Sequence, residues 1–314
     1  MGTRTGRLGD TSKVIPSPPG MKKPARGGRD RTGRRPYDPS IAKGIFMATD
    51  YAGADGSTTK HRRSARRALQ NWLLPMLTWL PSELLRVRLF RFMVCAVRYV
   101  WFVFILRRLR TTAGTDGVAR TTVAHNLRGM LDLHVERSLR LIWPLAAQAA
   151  GDRVDLRDQQ VLSIGPRTEG ELFNLVAHGF RLRNITGLDL ITYSPRIQLG
   201  DMHAMPYAAA SFDIILAGWV ISYSDHKQRA AHEILRVAKP GAIVAIGVEW
   251  GRKTPEQVAA ERAGYIVGSA ERLPTVDAIL DLFGGRVDRV YFRQDDQDIS
   301  TNEVGDLLVV FRLR

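Results

Sequence analysis

The stretch "VLSIGPRTEGEL", residues 161–172, decides how this chain is read. A short apolar run enters a Gly-Pro turn, and two acidic residues open the mixed stretch that follows. The local consequence is a buried strand, a tight turn and a helix start. Unpaired backbone N–H groups and the positive end of a helix meet at such a turn, where they favour an anionic ligand group.

Outward from this turn the pattern alternates. Strands are expected at 159–165, 184–190, 197–201, 212–220, 242–250, 289–294 and 307–313, with helices near 169–180, 226–238, 255–263 and 275–283. That alternation is the signature of a doubly wound α/β sheet, and the nearly continuous apolar strands suit a parallel sheet covered on both faces. Only a polar loop, "DDQDISTNEVGD", separates the last two strands, so they are expected to pair as an antiparallel hairpin. Upstream, Leu127, Leu131, Val135, Leu139 and Ile142 recur at helical spacing over 121–150, with Pro144 near the end of that helix.

The chemistry-bearing residues fall at the carboxyl ends of these strands. Asp189 lies 24 residues beyond Gly165, the distance at which an acid accepts hydrogen bonds from ribose hydroxyls. Asp201 closes the third strand in "GDMHAMPYAAASFDII", and "EILRVAKPGAIVAIGVE" supplies a helix, a Pro-Gly turn and the fifth strand. Together with the terminal hairpin, these features resemble the class I S-adenosylmethionine-dependent methyltransferases of the type 11-like group, over roughly the second half of the chain. The resemblance implies a Rossmann-like, mostly parallel sheet of seven strands with an antiparallel last strand, and S-adenosylmethionine as cofactor. It also implies that Asp189 binds the adenosyl ribose and that Asp201 approaches the adenine amino group.

The turn departs from the family pattern of an acid followed by three alternating glycines. Those positions are Ser163, Gly165, Arg167 and Glu169 here. Glu169 or Glu171 is a candidate for the cofactor's ammonium and Arg167 for its carboxylate. Both glutamates equally suit a helix N-terminus with no ligand role. The candidate cofactor set is Ser163, Gly165, Pro166, Arg167, Glu169, Asp189, Leu190, Asp201, Met202, His203 and Gly218. His203 and Tyr223 are the candidate catalytic residues, His203 as a general base. The 12 steps from Asp189 to Asp201 are too few for a helix and a full strand, so Tyr193 or Arg196 is expected to fill one pocket wall. No Cys/His cluster has zinc spacing, so no metal is expected.

The front of the chain has a different character. Charge is +17 through residue 110 and −2 beyond it. Residues 1–66 read as a disordered basic tail, 67–115 as an apolar, basic helical segment, and 116–314 as the α/β domain. Neither a secretory signal nor a myristoylation pattern is present, and the lone Cys95 fits a reducing compartment. Residues 89–106 are apolar but hold Arg91 and Arg98. A span needs roughly 20 apolar residues, and central arginines cost about 2.5–3.5 kcal/mol each, so spanning is disfavoured. An in-plane helix on an anionic membrane, with the arginines snorkelling, and a helix packed on the following domain or a second subunit both fit. The resulting expectation is a cytoplasmic protein, peripheral at a membrane, that methylates an O or N acceptor: a small molecule, or a membrane-linked glycan or lipid. A non-catalytic Rossmann-like scaffold and an RNA-binding or RNA-modifying protein remain open, although the basic tail lacks interleaved aromatics.

Overall fold

All four side chains of Val161–Ile164 (β2) are buried, and the strand lies inside a seven-stranded sheet. The structure, a computed structural model, describes residues 83–112, 136–251, 272–295 and 304–314, with single positions between 123 and 130 and at 257 and 260. The expected tail at 1–66 and most of the expected helix at 255–263 lie outside the described residues.

The remaining strands of the sheet are Ile185–Asp189 (β3), Ile197–Leu199 (β5), Phe212–Gly218 (β6), Ala238–Gly251 (β7), Val287–Asp295 (β8) and Val304–Leu313 (β9). Their order is β5-β3-β2-β6-β7-β9-β8. Neighbours from β5 to β7 are parallel, whereas β9 inserts antiparallel between β7 and β8. The seven-stranded Rossmann-like sheet and its terminal hairpin are therefore as expected. Helices Leu139–Gly151 (α2), Glu169–Ala177 (α3), Lys227–Val237 (α4) and Val276–Asp281 (α5) accompany it. One core cluster holds Ile215, Val244, Val309 and Phe311, and a second holds Val161, Phe173, Ile214 and Val310. Alternate residues of each strand thus feed opposite faces of the sheet.

Three local expectations are corrected. The helix read over 121–150 is interrupted: the described positions 123, 126, 127 and 129 are helical, a turn stands at 137–138, and Leu139–Gly151 follows with Pro144 as its sixth residue. The Pro-Gly turn before the fifth strand lies within β7, which already pairs with β6 at Ala238↔Phe212. Gly241 takes φ +78° there, and the register shifts between Phe212 and Ile214. The third correction concerns Arg98.

No helix joins β3 to β5. Ile191–Thr192 (β4) instead pairs antiparallel with Arg110–Thr111 (β1). The space beside it is taken by the front segment, which folds as Arg88–Val100 (α1) and runs on through a π-turn, Trp101–Ile105. Tyr99, Phe102 and Val103 of that segment pack with Ile191 and Tyr193 in a third cluster, and Tyr99 meets Tyr193 edge-on at 5.1 Å between ring centroids. One face of the apolar segment therefore packs on the domain. Among the described residues, no helix is long and apolar enough to cross a membrane.

Arg98 does not snorkel. It is 3 % exposed and donates two parallel bonds, of 2.6 and 2.7 Å, to Glu169, which is 1 % exposed. The Ser194 hydroxyl donates to the same carboxylate, and the Glu169 backbone N–H donates to the Tyr193 hydroxyl at 3.0 Å. Two fully desolvated charges are tolerable only because each meets the other's hydrogen-bonding edge. Arg98→Ala should therefore cost about 3–5 kcal/mol in urea unfolding, because Glu169 is left charged and dry. The double variant Arg98→Met/Glu169→Gln should recover a large part of that loss. Equal losses in the single and double variants would show that packing, not charge pairing, holds α1 in place.

Candidate functional site

At the carboxyl ends of β2, β3 and β6 a cleft is lined by Asn126, Ile164, Gly165, Leu188, Asp189, Leu190, Gly200, Asp201, Met202, Val220 and Tyr223. Parallel sheets open a crevice there because the connections on either side of β2 leave in opposite directions.

The turn after β2 forms the floor. Gly165 adopts φ +69° and donates to the Leu188 carbonyl at 2.7 Å, which ties the turn to β3. A Cβ at this position would fall 2.0 Å from Cγ1 of Val220, so only glycine fits. Arg167 holds φ +50° without being a glycine, and its N–H donates to Asp189 at 2.9 Å. Trp219, which directly follows β6 and is buried in the core, also has positive φ, at +59°. Non-glycine residues held in this region carry strain, and such strain gathers at ligand sites. The Trp219 ring is fixed by its indole N–H, which donates to Asp306 at 2.6 Å, and by the Arg137 guanidinium 4.4 Å from its centroid.

Asp189 is the last residue of β3 and is buried. It accepts from the N–H groups of Arg167 and Ile191, the latter at 3.1 Å. Burial raises its carboxyl from 3.8 to about 6, against the opposing pull of those donors. Glu171 is pushed from 4.5 to about 8 by burial, with Asp189 adding and Arg137 and Arg167 opposing.

Asp201 follows β5 and is tied to the loop after β6. It accepts from the His203 N–H at 3.0 Å and from ring Nδ1 at 2.7 Å, while His203 Nε2 lies 2.6 Å from the Ser224 hydroxyl. Burial opposes ionisation of Asp201, but the His203 bonds outweigh it and hold the carboxyl below its usual range.

The structure thus brings Gly165, Asp189, Leu190, Asp201, Met202 and Tyr223 to one cleft. Ser163 is buried within β2, Pro166 is buried in the turn, and Gly218 ends β6. Four expectations change. Glu169 cannot take an ammonium, because Arg98 and Ser194 already occupy its carboxylate. His203 is 3 % exposed with both ring nitrogens engaged, so it positions Asp201 and has no free edge to act as a base. The Arg167 side chain reaches Asn126 Oδ1 at 3.4 Å and covers Gly129. Tyr193 is buried against α1 and is not among the residues that line the cleft. Sequence reading missed Arg98, Arg137 and Trp219. Only the unusual "GWV" after an apolar strand hinted at the last of these.

The residues fit one half of S-adenosylmethionine better than the other. Asp189, Asp201 and the apolar Ile164, Leu190 and Met202 make a polar-ended slot for an adenosyl group. The cleft volume is about 50 Å³, against roughly 300–1,000 Å³ for small-molecule pockets. Val220 is seated against Gly165.

Residues 162–246, about a quarter of the chain, match the model of the methyltransferase domain family and lie within this sheet. No curated protein matches the chain. Among solved structures, N-methyltransferase NodS from Bradyrhizobium japonicum, in complex with S-adenosyl-L-homocysteine, is 17 % identical. The alignment covers 62 % of this chain and 98 % of that one at a TM-score of 0.40. An S-adenosylmethionine-dependent methyltransferase from Methanosarcina mazei is 15 % identical, covering 50 % and 93 % at 0.37. The [4+2]-cyclase SpnF is 16 % identical, covering 54 % and 79 % at 0.37. Likeness at this level carries no argument about activity.

The raised carboxyls have a measurable consequence. The folded state binds these protons more tightly than the unfolded chain, so their stabilising contribution is full below the unfolded values. It is lost as pH rises through about 6 for Asp189 and about 8 for Glu171. The melting temperature of the ligand-free protein should therefore climb as pH falls from about 9 to about 6. Glu171→Gln should flatten the upper part of that dependence. An unchanged slope in this variant would assign the effect to other groups.

Proposed function

We propose that this chain is an S-adenosylmethionine-dependent methyltransferase acting on an O or N acceptor. The observation that carries the reading is the pairing, across one cleft at the carboxyl edge of the sheet, of Asp189 at the end of β3 with Asp201 after β5. Asp189 would accept from the ribose hydroxyls, and Asp201, ionised and aimed by His203, from the adenine amino group. Ile164, Leu190 and Met202 would face the adenine plane, and Gly165 would let the backbone approach.

When bound, S-adenosylmethionine supplies a sulfonium methyl for in-line transfer. The protein's share is to hold that methyl near an acceptor lone pair with water excluded, which is mainly orientation. Tyr223 lines the same cleft and is half-buried. Its hydroxyl is the group we assign to orient the acceptor by hydrogen bonding. For the acceptor we favour a lipid or a lipid-linked glycan, since the apolar front segment packs beside this edge of the domain through Tyr193.

A second reading is favoured by the small cleft, of about 50 Å³: the domain serves as a scaffold that binds no cofactor. Calorimetric titration with S-adenosylhomocysteine separates the two. Binding that weakens about tenfold to a hundredfold in Asp189→Asn, and below about pH 6 in the parent, supports the enzyme. No heat at millimolar ligand removes the enzyme and leaves the scaffold. Tyr223→Phe should bind the same ligand like the parent while losing turnover.

A further inference from the structure

Between Leu89 and Ile105 every exposed side chain is apolar: Leu89, Met93, Val97, Val100, Phe104 and Ile105. Their exposures run from 43 % at Ile105 to 70 % at Leu89. The first five are spaced 4, 4, 3 and 4 residues apart, so they form one stripe along α1 and its π-turn. The opposite stripe, including Val94, Cys95, Tyr99 and Phe102, is already buried against the domain. Packing within the chain therefore accounts for one face of this segment and leaves a second, equally apolar face outward. A contiguous exposed stripe of this kind marks an interaction surface.

Charge says what that surface meets. Exposed Arg86 and Arg88 precede the stripe and exposed Arg107 and Arg110 follow it, and the sequence holds no Asp or Glu from 84 to 112. The short 3₁₀ turn Leu84–Arg86 that leads into α1 also borders a cavity of about 620 Å³, to whose lining Arg86, Arg157, Arg181 and Arg183 contribute. Arg86 and Arg181 are each paired there, with Glu83 and Asp158, and Arg88 pairs with Glu136 at 2.6 Å, while no ion pair among the described residues involves Arg107 or Arg110. An apolar band framed by cations at both ends matches the layering of an anionic bilayer surface, with acyl chains beneath phosphates. A second protein copy would bring the same arginines against one another.

We propose that the outward face of α1 lies in the plane of an anionic lipid surface, with its six exposed apolar side chains below the headgroups and the flanking arginines among the phosphates. This docking rests on the geometry of α1 and is independent of methyl transfer.

The test uses the full chain and vesicles of phosphatidylcholine, with and without phosphatidylglycerol, in a co-sedimentation assay. The parent should bind the phosphatidylglycerol vesicles more tightly, and part of that binding should survive about 1 M salt, where screening reduces the electrostatic reach to roughly 3 Å. Met93→Glu/Val97→Glu, which alters only exposed positions, should keep the parent's melting temperature and its affinity for S-adenosylhomocysteine while losing about tenfold or more of vesicle binding. Arg107→Glu/Arg110→Glu should lower the preference for phosphatidylglycerol. Absence of parent binding to either vesicle overturns the proposal. Equal binding by Met93→Glu/Val97→Glu also overturns it and assigns the contact to the basic residues before α1. A parent dimer that this variant dissociates, with no vesicle binding, overturns it in favour of a second copy.

Discussion

Where α1 crosses the start of α3, the Arg98 guanidinium and the Glu169 carboxylate lie face to face out of contact with water. Neither charge is tolerable there alone, so the pair ties the front segment to the ligand turn more strictly than apolar contact would. Its influence spreads through shared partners. Ser194 donates to the same carboxylate, Tyr193 accepts from the Glu169 backbone, and Tyr99 of α1 packs on Tyr193. Glu169 thus anchors α1 beside the helix-free connection between β3 and β5.

The cleft depends on this anchoring. With Glu169 held from below, the turn between Gly165 and Glu169 places Arg167 in a left-handed conformation and points its N–H at Asp189. Asp189 is consequently both a candidate ligand group and a fastening of the turn. A ligand that donates to Asp189 adds to a carboxylate already partly satisfied by backbone, which favours a hydroxyl over a second full charge. On the other wall, the chain Asp201, His203 and Ser224 links the loop after β5 to the loop after β6. A buried histidine bonded at both nitrogens has one orientation available, so it fixes the carboxylate beside it.

These arrangements give the front segment two roles on two faces. Its inner face packs on Ile191 and Tyr193 of the short β3–β5 connection. Its outer face continues the apolar pattern into solvent. The packed reading of this segment holds for the inner face, and the in-plane reading is the proposal for the outer one.

Much of the fold was legible because its signals are local. Continuous apolar runs separated by helical stretches impose the parallel sheet, and a polar loop too short for a crossover imposes the terminal hairpin. Asp189 and Asp201 were recognisable because the one ends, and the other closely follows, a strand that its own neighbours define. The roles of Glu169 and His203 were not, since both are decided by partners distant in sequence: Arg98 lies 71 residues from Glu169, and Ser224 lies 21 from His203. A charge at a helix start and a histidine on a loop look alike whether they face ligand or core, because burial is a property of the assembled elements. The sequence by itself determined the strand pattern, the sheet class and the positions of the two carboxylates. Tertiary structure alone decided which charges are buried and paired, which side of α1 faces water, and that Val220 sits against Gly165, because each depends on elements distant in sequence.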